Sequence, residues 1–136
     1  MSPVFLDTSG LIAVVNSDDQ WHSKVSEAWR DLIARRVPLL TTSLVLIELG
    51  DGLSRVGERH LAIQLYDRMR RASAIEIVHP TEEMEERGWT LFRERPDQDW
   101  GMTDCVSFSV MADRSIHEAF TLDHHFEQAG FVRLIK

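Results

Sequence analysis

Short apolar runs of strand length alternate with helical patterns along the whole chain. The first run, residues 3–6, is continuously apolar, as expected of a central parallel strand that is buried on both faces. Further strands are predicted at residues 39–41, 75–78, 119–122 and 131–135. Alternating strands and helices are typical of a parallel sheet covered by helices on both faces. We therefore predict an α/β fold, a three-layer α/β/α sandwich with a central parallel sheet.

The helices are predicted from apolar positions that recur every three or four residues. Long helices are expected over residues 18–36 and 58–72, and a short one over residues 124–129, which Gly130 ends. Polar N-cap types mark the starts of other helices, and Ser43 is predicted to cap the third. The remaining helices are expected after Thr8, after Thr81 and around the Thr103-Asp104 pair.

The length and composition set limits on the class of protein. A chain of 136 residues with 43% hydrophobic and 27% charged residues is expected to form one domain, residues 1–136. No stretch approaches the ~18 apolar residues of a membrane helix, and no basic segment precedes the first apolar run as in a secretory signal. Cys105 is the only cysteine, which excludes an intrachain disulfide and a multi-cysteine zinc site. We expect a cytoplasmic protein without a membrane partner.

The charge pattern argues against one class of nucleic-acid binder. A general nucleic-acid coat protein is expected to carry an excess of basic charge, whereas this chain has a net charge of −7. It is compatible with a nuclease, because part of the negative charge can lie in a metal site. Thirteen of the fifteen basic residues are arginine, which suits bidentate phosphate contacts. Many of these arginines would also serve simply as the solvated faces of two helices.

Four carboxylates occupy places that packing alone does not favour. Asp7 and Asp123 follow predicted strands, and Glu48 and Asp104 lie near predicted helix starts. Ligands of such sheets bind beyond the carboxyl ends of the strands, so the four are expected on one edge. Carboxylates a few Å apart repel each other unless cations separate them. Mg²⁺ or Mn²⁺ is the expected cofactor, with all four acids as metal ligands.

Such a metal site predicts a particular reaction. Carboxylates around one or two divalent ions are suited to phosphodiester hydrolysis by a metal-activated water. Thr8 and Thr103 could hydrogen-bond the carboxylates or the metal-bound waters. Each acid is a weak signal alone, since Asp7 could be only a strand-end cap and Glu48 only a solvated helix residue.

The motifs around the four acids carry a family resemblance. They are residues 5–9 (Phe-Leu-Asp-Thr-Ser), residues 43–49 with Glu48, residues 100–108 with Asp104, and residues 122–126 with Asp123. Together they resemble the PIN-domain ribonucleases, especially the VapC-like toxins of bacterial toxin–antitoxin pairs. The resemblance covers nearly the whole chain, with all four acids in the family's order. It implies Mg²⁺- or Mn²⁺-dependent RNA cleavage, a homodimer, and a small antitoxin whose tail covers the site. It assigns no role to His124 and His125, where the family varies.

Other acidic-pocket proteins fit the sequence less well. Response-regulator receivers need a lysine at a late strand end, but the only lysines are Lys24 and Lys136. Phosphatases with an aspartate nucleophile carry a second Asp two residues after the first, where this chain has Ser9. A non-enzymatic alternative is a catalytically inactive dimeric RNA-binding or regulatory protein of the same fold, against which the presence of all four acids counts.

The tryptophans are predicted mainly as core or interface anchors rather than as platforms for bases. Trp100 is the exception to watch, because it lies in the loop that enters the predicted site.

Overall fold

A computed structural model describes all 136 residues and contains a five-stranded sheet. The order of the strands is β3-β2-β1-β4-β5, and every neighbouring pair is parallel. The strands are β1 (Val4–Leu6), β2 (Leu39–Thr42), β3 (Ile75–Val78), β4 (Glu118–Phe120) and β5 (Val132–Arg133). The predicted parallel sheet is therefore confirmed.

Seven helices connect or follow these strands. They are α1 (Thr8–Val15), α2 (His22–Ala34), α3 (Ser43–Gly52), α4 (Arg59–Arg71), α5 (Glu82–Glu94), α6 (Met102–Asp113) and α7 (His125–Gln128). The first four pack against one another, whereas α5 packs on α6 and α6 on α7. The predicted three-layer α/β/α class is confirmed. None of the helices combines the length and the apolar character needed to span a lipid bilayer.

The core is centred on β1, whose three residues are all buried, as the continuous apolar run predicted. Its Phe5 ring lies 6.2 Å from that of Phe126 in α7. Phe108 of α6 meets both Phe126 and Trp100 edge to face, at 5.0 and 5.2 Å between centroids. These aromatic contacts fix α6 and α7 beside the middle of the sheet.

Three local predictions need correction. Thr42, not Ser43, caps α3, because Thr42 has extended backbone and its Oγ1 accepts the Val45 N–H at 3.2 Å. The fourth strand ends at Phe120 rather than at residue 122, because the next residue turns its hydroxyl toward β1. The last strand is reduced to residues 132–133 at the edge of the sheet. Gly130 ends α7 as predicted, with a φ of +95° that favours glycine.

The order of the strands creates a crevice between β1 and β4. The chain leaves β1 toward β2 on one side, whereas β4 lies on the other side, so their connections diverge. Crevices of this kind, at the carboxyl ends of strands, are the usual ligand sites of open α/β sheets. Asp7 follows β1 directly, and Thr121 follows β4 directly. The two therefore meet at this crevice.

Gly10 allows α1 to approach β4 at the same point. A Cβ at this position would lie 2.7 Å from a ring carbon of Phe120 and 2.8 Å from its carbonyl oxygen. Such distances are too short for nonbonded atoms, so α1 could not keep its present place. The glycine is thus required for close packing beside the crevice.

Gly10→Ala should destabilise the protein by about 1–3 kcal/mol, the usual cost of overpacking a well-filled core. Gly50→Ala is the matched control, since no atom lies within 4 Å of a Cβ placed there and alanine favours helix. Urea unfolding should show the control equal to or more stable than wild type. Equal stability of the two variants would contradict the close approach of α1 to β4.

Candidate active site

The carboxylate of Asp7 lies in the crevice between β1 and β4. The backbone extends β1 by one residue, so that the Asp7 N–H donates to the Phe120 carbonyl at 3.2 Å. The residue stands at the N-cap position of α1, but its side chain makes no capping hydrogen bond. It is only 4% exposed. A buried carboxylate that does not cap its helix must be stabilised by other groups.

Two hydroxyl groups hold this carboxylate. Ser9 Oγ donates to Asp7 Oδ2 at 3.0 Å, and Thr121 Oγ1 donates to the same oxygen at 2.7 Å. Each hydroxyl in turn accepts a hydrogen bond from a backbone N–H at 3.0 Å. Ser9 Oγ accepts from Leu122, and Thr121 Oγ1 accepts from Asp123. The two hydroxyl oxygens also lie 3.1 Å apart, so they form one hydrogen-bonded group with Oδ2. No side chain donates to Oδ1.

Burial changes the acidity of this group. It is the main cause that raises the pKa of Asp7 from 3.8 to about 6; the charge of Asp104 also contributes to this rise, and the hydroxyl donors and the Thr8 backbone oppose it. The influence of Asp104 means that the two carboxylates lie close enough to repel each other. A nearby cation would relieve both the burial and the repulsion.

Asp104 and Asp123 both contact the same nitrogen of one imidazole. His125 Nδ1 lies 3.2 Å from Asp104 Oδ2 and 3.2 Å from Asp123 Oδ2. Burial raises the pKa of Asp104, the Gly101 N–H that it accepts lowers it, and the charge of Asp123 raises it. The His125 backbone N–H also donates to Asp123 Oδ1 at 2.9 Å. The start of α6 and the start of α7 are thus tied together at the crevice.

Glu48 makes none of the contacts that link the other three acids, which together form the acidic cluster. It lies on α3, which packs against α1 and α6, but its side chain is exposed and forms no hydrogen bond or ion pair. Three of the four predicted acids, Asp7, Asp104 and Asp123, are therefore brought together by contacts and mutual charge effects, whereas Glu48 is held only by the helix that carries it.

The two threonines predicted to support the site differ from each other. Thr8 Oγ1 is buried and has no hydrogen-bond partner. The Thr103 side chain forms no hydrogen bond, although its carbonyl accepts from Ser107 at 2.8 Å. An unpartnered buried hydroxyl is costly, and here it lies next to the Asp7 carboxylate. Thr8 therefore has donor capacity to spare at the candidate site.

Sequence reasoning missed three residues of this site. The sequence assigns Ser9 no contact with Asp7, places Thr121 inside a predicted strand and gives His125 no role. It carries no local signal for the contact of Thr121 with Asp7. The pairing of β1 with β4 is what brings that hydroxyl to Asp7.

The chemistry of the donors fits a divalent cation. Carboxylate oxygens predominate, one Asp7 oxygen lacks a side-chain donor, and the Thr8 hydroxyl is unpartnered. Asp123, His124 and His125 also place potential ligand atoms within 4.8 Å of one another. A mixed oxygen and imidazole set is compatible with Mn²⁺ as well as with Mg²⁺.

Comparison with known proteins gives a consistent family. The description "PIN domain" matches residues 4–132. The 23S rRNA-specific endonuclease VapC20 of Mycobacterium tuberculosis is 28% identical over 133 residues, 96% of this chain and 97% of that protein. Its crystal structure, described as a sarcin-ricin loop cleaving toxin, has a TM-score of 0.85 and covers 95% of this chain and 96% of that one.

More distant structures share the fold. VapBC2 from Rickettsia felis, bound to a promoter DNA fragment, is 17% identical with a TM-score of 0.70, and 96% of each chain is covered. FitAcB from Neisseria gonorrhoeae is 14% identical with a TM-score of 0.69, covering 96% of this chain and 95% of that one.

The raised pKa of Asp7 predicts how stability depends on pH. The native state holds this proton more tightly than the unfolded state, so the free energy of unfolding should fall as the pH rises from about 4 to about 6. The fall should be on the order of 2–3 kcal/mol, since each pKa unit corresponds to about 1.4 kcal/mol. Urea unfolding in chelator, compared with Asp7→Asn, measures it. A stability difference between the two proteins that stays constant with pH would contradict the burial of a charged Asp7.

Proposed function

This chain belongs to the PIN domain family, and from that premise we propose that it is a divalent-metal-dependent endoribonuclease and the toxin of a toxin–antitoxin pair. The observation that carries the proposal is the buried, hydroxyl-held carboxylate of Asp7 beside Asp104 and Asp123. RNA is the proposed substrate, because the homologous VapC20 is named as an rRNA endonuclease. We place its action in the cytoplasm, where RNA is available.

The four acids, Asp7, Glu48, Asp104 and Asp123, are proposed to hold one or two Mg²⁺ or Mn²⁺ ions. A bound ion of this kind lowers the pKa of an attacking water and stabilises negative charge on the scissile phosphate. The protein's own contribution is to fix the donors. Ser9 and Thr121 hold one oxygen of Asp7 and thereby fix the orientation of the carboxylate that would bind the ion.

Glu48 and the threonines complete the proposed site. Glu48 is exposed on α3, and no hydrogen bond or ion pair within the protein competes for its carboxylate. Thr8 offers its free hydroxyl to a carboxylate or to an ordered water. Thr103 is proposed for the same supporting role, and its side chain makes no competing bond. The whole chain, residues 1–136, is proposed to act as one nuclease domain.

Substitution of the acids should remove RNA cleavage. Asp7→Asn, Glu48→Gln, Asp104→Asn and Asp123→Asn each delete a ligand charge with little change in volume, and each should lower the cleavage rate by about 100-fold or more. Asp51→Asn, an exposed acid one turn from Glu48 on α3, is the control and should cleave normally. The assay is cleavage of RNA with Mn²⁺ and with excess chelator.

Two outcomes of this assay would contradict the proposal. Undiminished cleavage in chelator would exclude the metal mechanism. Absence of cleavage by the wild type, together with retained RNA binding, would favour the inactive RNA-binding or regulatory protein.

An antitoxin partner is proposed from the toxin homologue and from an apolar groove between three helices. The groove, about 330 Å³, lies between α1, α2 and α4, and nine of its eleven lining residues are hydrophobic. Trp29, Ile33 and Leu61 are among them. Such a groove fits the apolar face of an amphipathic helix from a small protein.

A homodimer is proposed as well. Ile47 and Tyr66 line a shallow pocket between α3 and α4, and Ile63 lies one turn before Tyr66. All three side chains are at least 40% exposed, and a second copy of this chain could cover them.

Coexpression with the neighbouring reading frame should yield a copurified small partner and should relieve growth arrest caused by the toxin alone.

Ile33→Asp, at a groove position that is 50% exposed, should weaken this partner's binding by about tenfold or more while leaving RNA cleavage intact. Phe92→Asp on α5, 43% exposed, is the control. Light scattering of the toxin alone and of the complex gives the number of copies of each chain. Equal retention of the partner by both variants would place the partner elsewhere.

A further inference from the structure

A second groove opens between α5 on one side and α6 and α7 on the other. Its volume is about 420 Å³. Trp100, Phe108 and Phe131 supply aromatic surface, and Arg95 and Gln128 add polar groups. None of these residues has a part in the proposed cleavage chemistry. The groove combines flat apolar surface with hydrogen-bonding groups, as sites for nucleobases do.

Arg95 forms the distinctive feature of this groove. Its guanidinium carbon lies 5.0 Å from the ring centroid of Trp100, within the range of a cation–π contact. Its Nε and one terminal nitrogen donate to the two oxygens of Asp97, each at 3.0 Å. The indole and the carboxylate together fix the planar group in one orientation. Because the side chain remains 38% exposed, the group is also accessible from solvent.

Residues 100–104 and residues 125–128 are joined by two contacts, one at the acidic cluster and one at the groove. His125 of α7 contacts Asp104 at the start of α6, and Gln128 of α7 accepts from Trp100 Nε1 at 3.1 Å. His125 and Gln128 are three residues apart, which corresponds to about 4.5 Å along a helix. Trp100, with Arg95 over its ring, is therefore linked through one turn of α7 to the imidazole that contacts the acids.

We propose that Arg95, held over Trp100 and against Asp97, is a stacking platform for an unpaired base adjacent to the scissile bond of an RNA substrate. The platform rests on the proposed ribonuclease function and adds a determinant of where the strand is cut. The Gln128 amide nitrogen has no partner within the protein and is available to the edge of that base. Planar arginine groups stack on bases, whereas lysine does not.

The test is a cycle of protein and RNA changes measured by steady-state cleavage of short single-stranded RNAs with Mn²⁺. Arg95→Lys keeps the charge but removes the plane, and a set of RNAs carries one abasic nucleotide at each position around the cut. Arg95→Lys should raise KM for intact RNA roughly tenfold, the cost of one lost base stack, with kcat nearly unchanged. One abasic position should raise the wild-type KM by a similar factor and should have little further effect in Arg95→Lys. Arg93→Lys, exposed and without an acidic partner, is the matched control and should behave as wild type.

The outcomes separate the platform from the cleavage function. Wild-type cleavage with no coupling between Arg95 and any abasic position overturns the platform and leaves the ribonuclease intact. A loss of partner binding by Arg95→Lys, with unchanged RNA kinetics, overturns it in favour of a protein-binding surface. A wild type that cleaves none of the RNAs overturns both proposals.

Discussion

The buried carboxylate of Asp7 is the interaction on which the geometry of the crevice depends. It joins the end of β1 to α1 through Ser9 and to the end of β4 through Thr121. Removing such a group from water is unfavourable, as its raised pKa records, and the two hydroxyl donors offset only part of the cost. This charge therefore makes the free energy of folding less favourable, at the point where a divalent cation would be most stabilising.

The candidate ligands differ greatly in how firmly the fold holds them. Asp7 is buried and accepts hydrogen bonds from two fixed hydroxyl donors. Asp104 and Asp123 both contact one imidazole, and each of them accepts a hydrogen bond from a different backbone N–H. Glu48 has no partner and is exposed. A site built in this way combines a preorganised side with an adaptable one. The rigid side fixes position, and the adaptable side can adjust to the substrate and the ion.

The sequence was sufficient to predict the fold class and the strand-end positions of Asp7 and Asp123. Both follow from the apolar runs and from the rule that such sheets bind ligands at strand ends. It could not predict the contact of Thr121 with Asp7, because that contact depends on β4 pairing with β1 rather than on local pattern. It also left Glu48 open between a metal ligand and a solvated helix residue, since the choice depends on how α3 is rotated. The choice of Thr42 over Ser43 as a cap depended on a single residue's backbone angle.

The same long-range pairing has a consequence for synthesis of the protein. The hydroxyl of Thr121 reaches Asp7 across 114 residues of sequence. A growing chain that has not yet emerged as far as β4 lacks this partner, and it also lacks Asp123 and His125. Contacts between distant parts of a chain form late, because the intervening loop must first be closed. The acidic cluster is thus completed only after β4 and α7 have emerged, and chains that stop before these elements do not contain it.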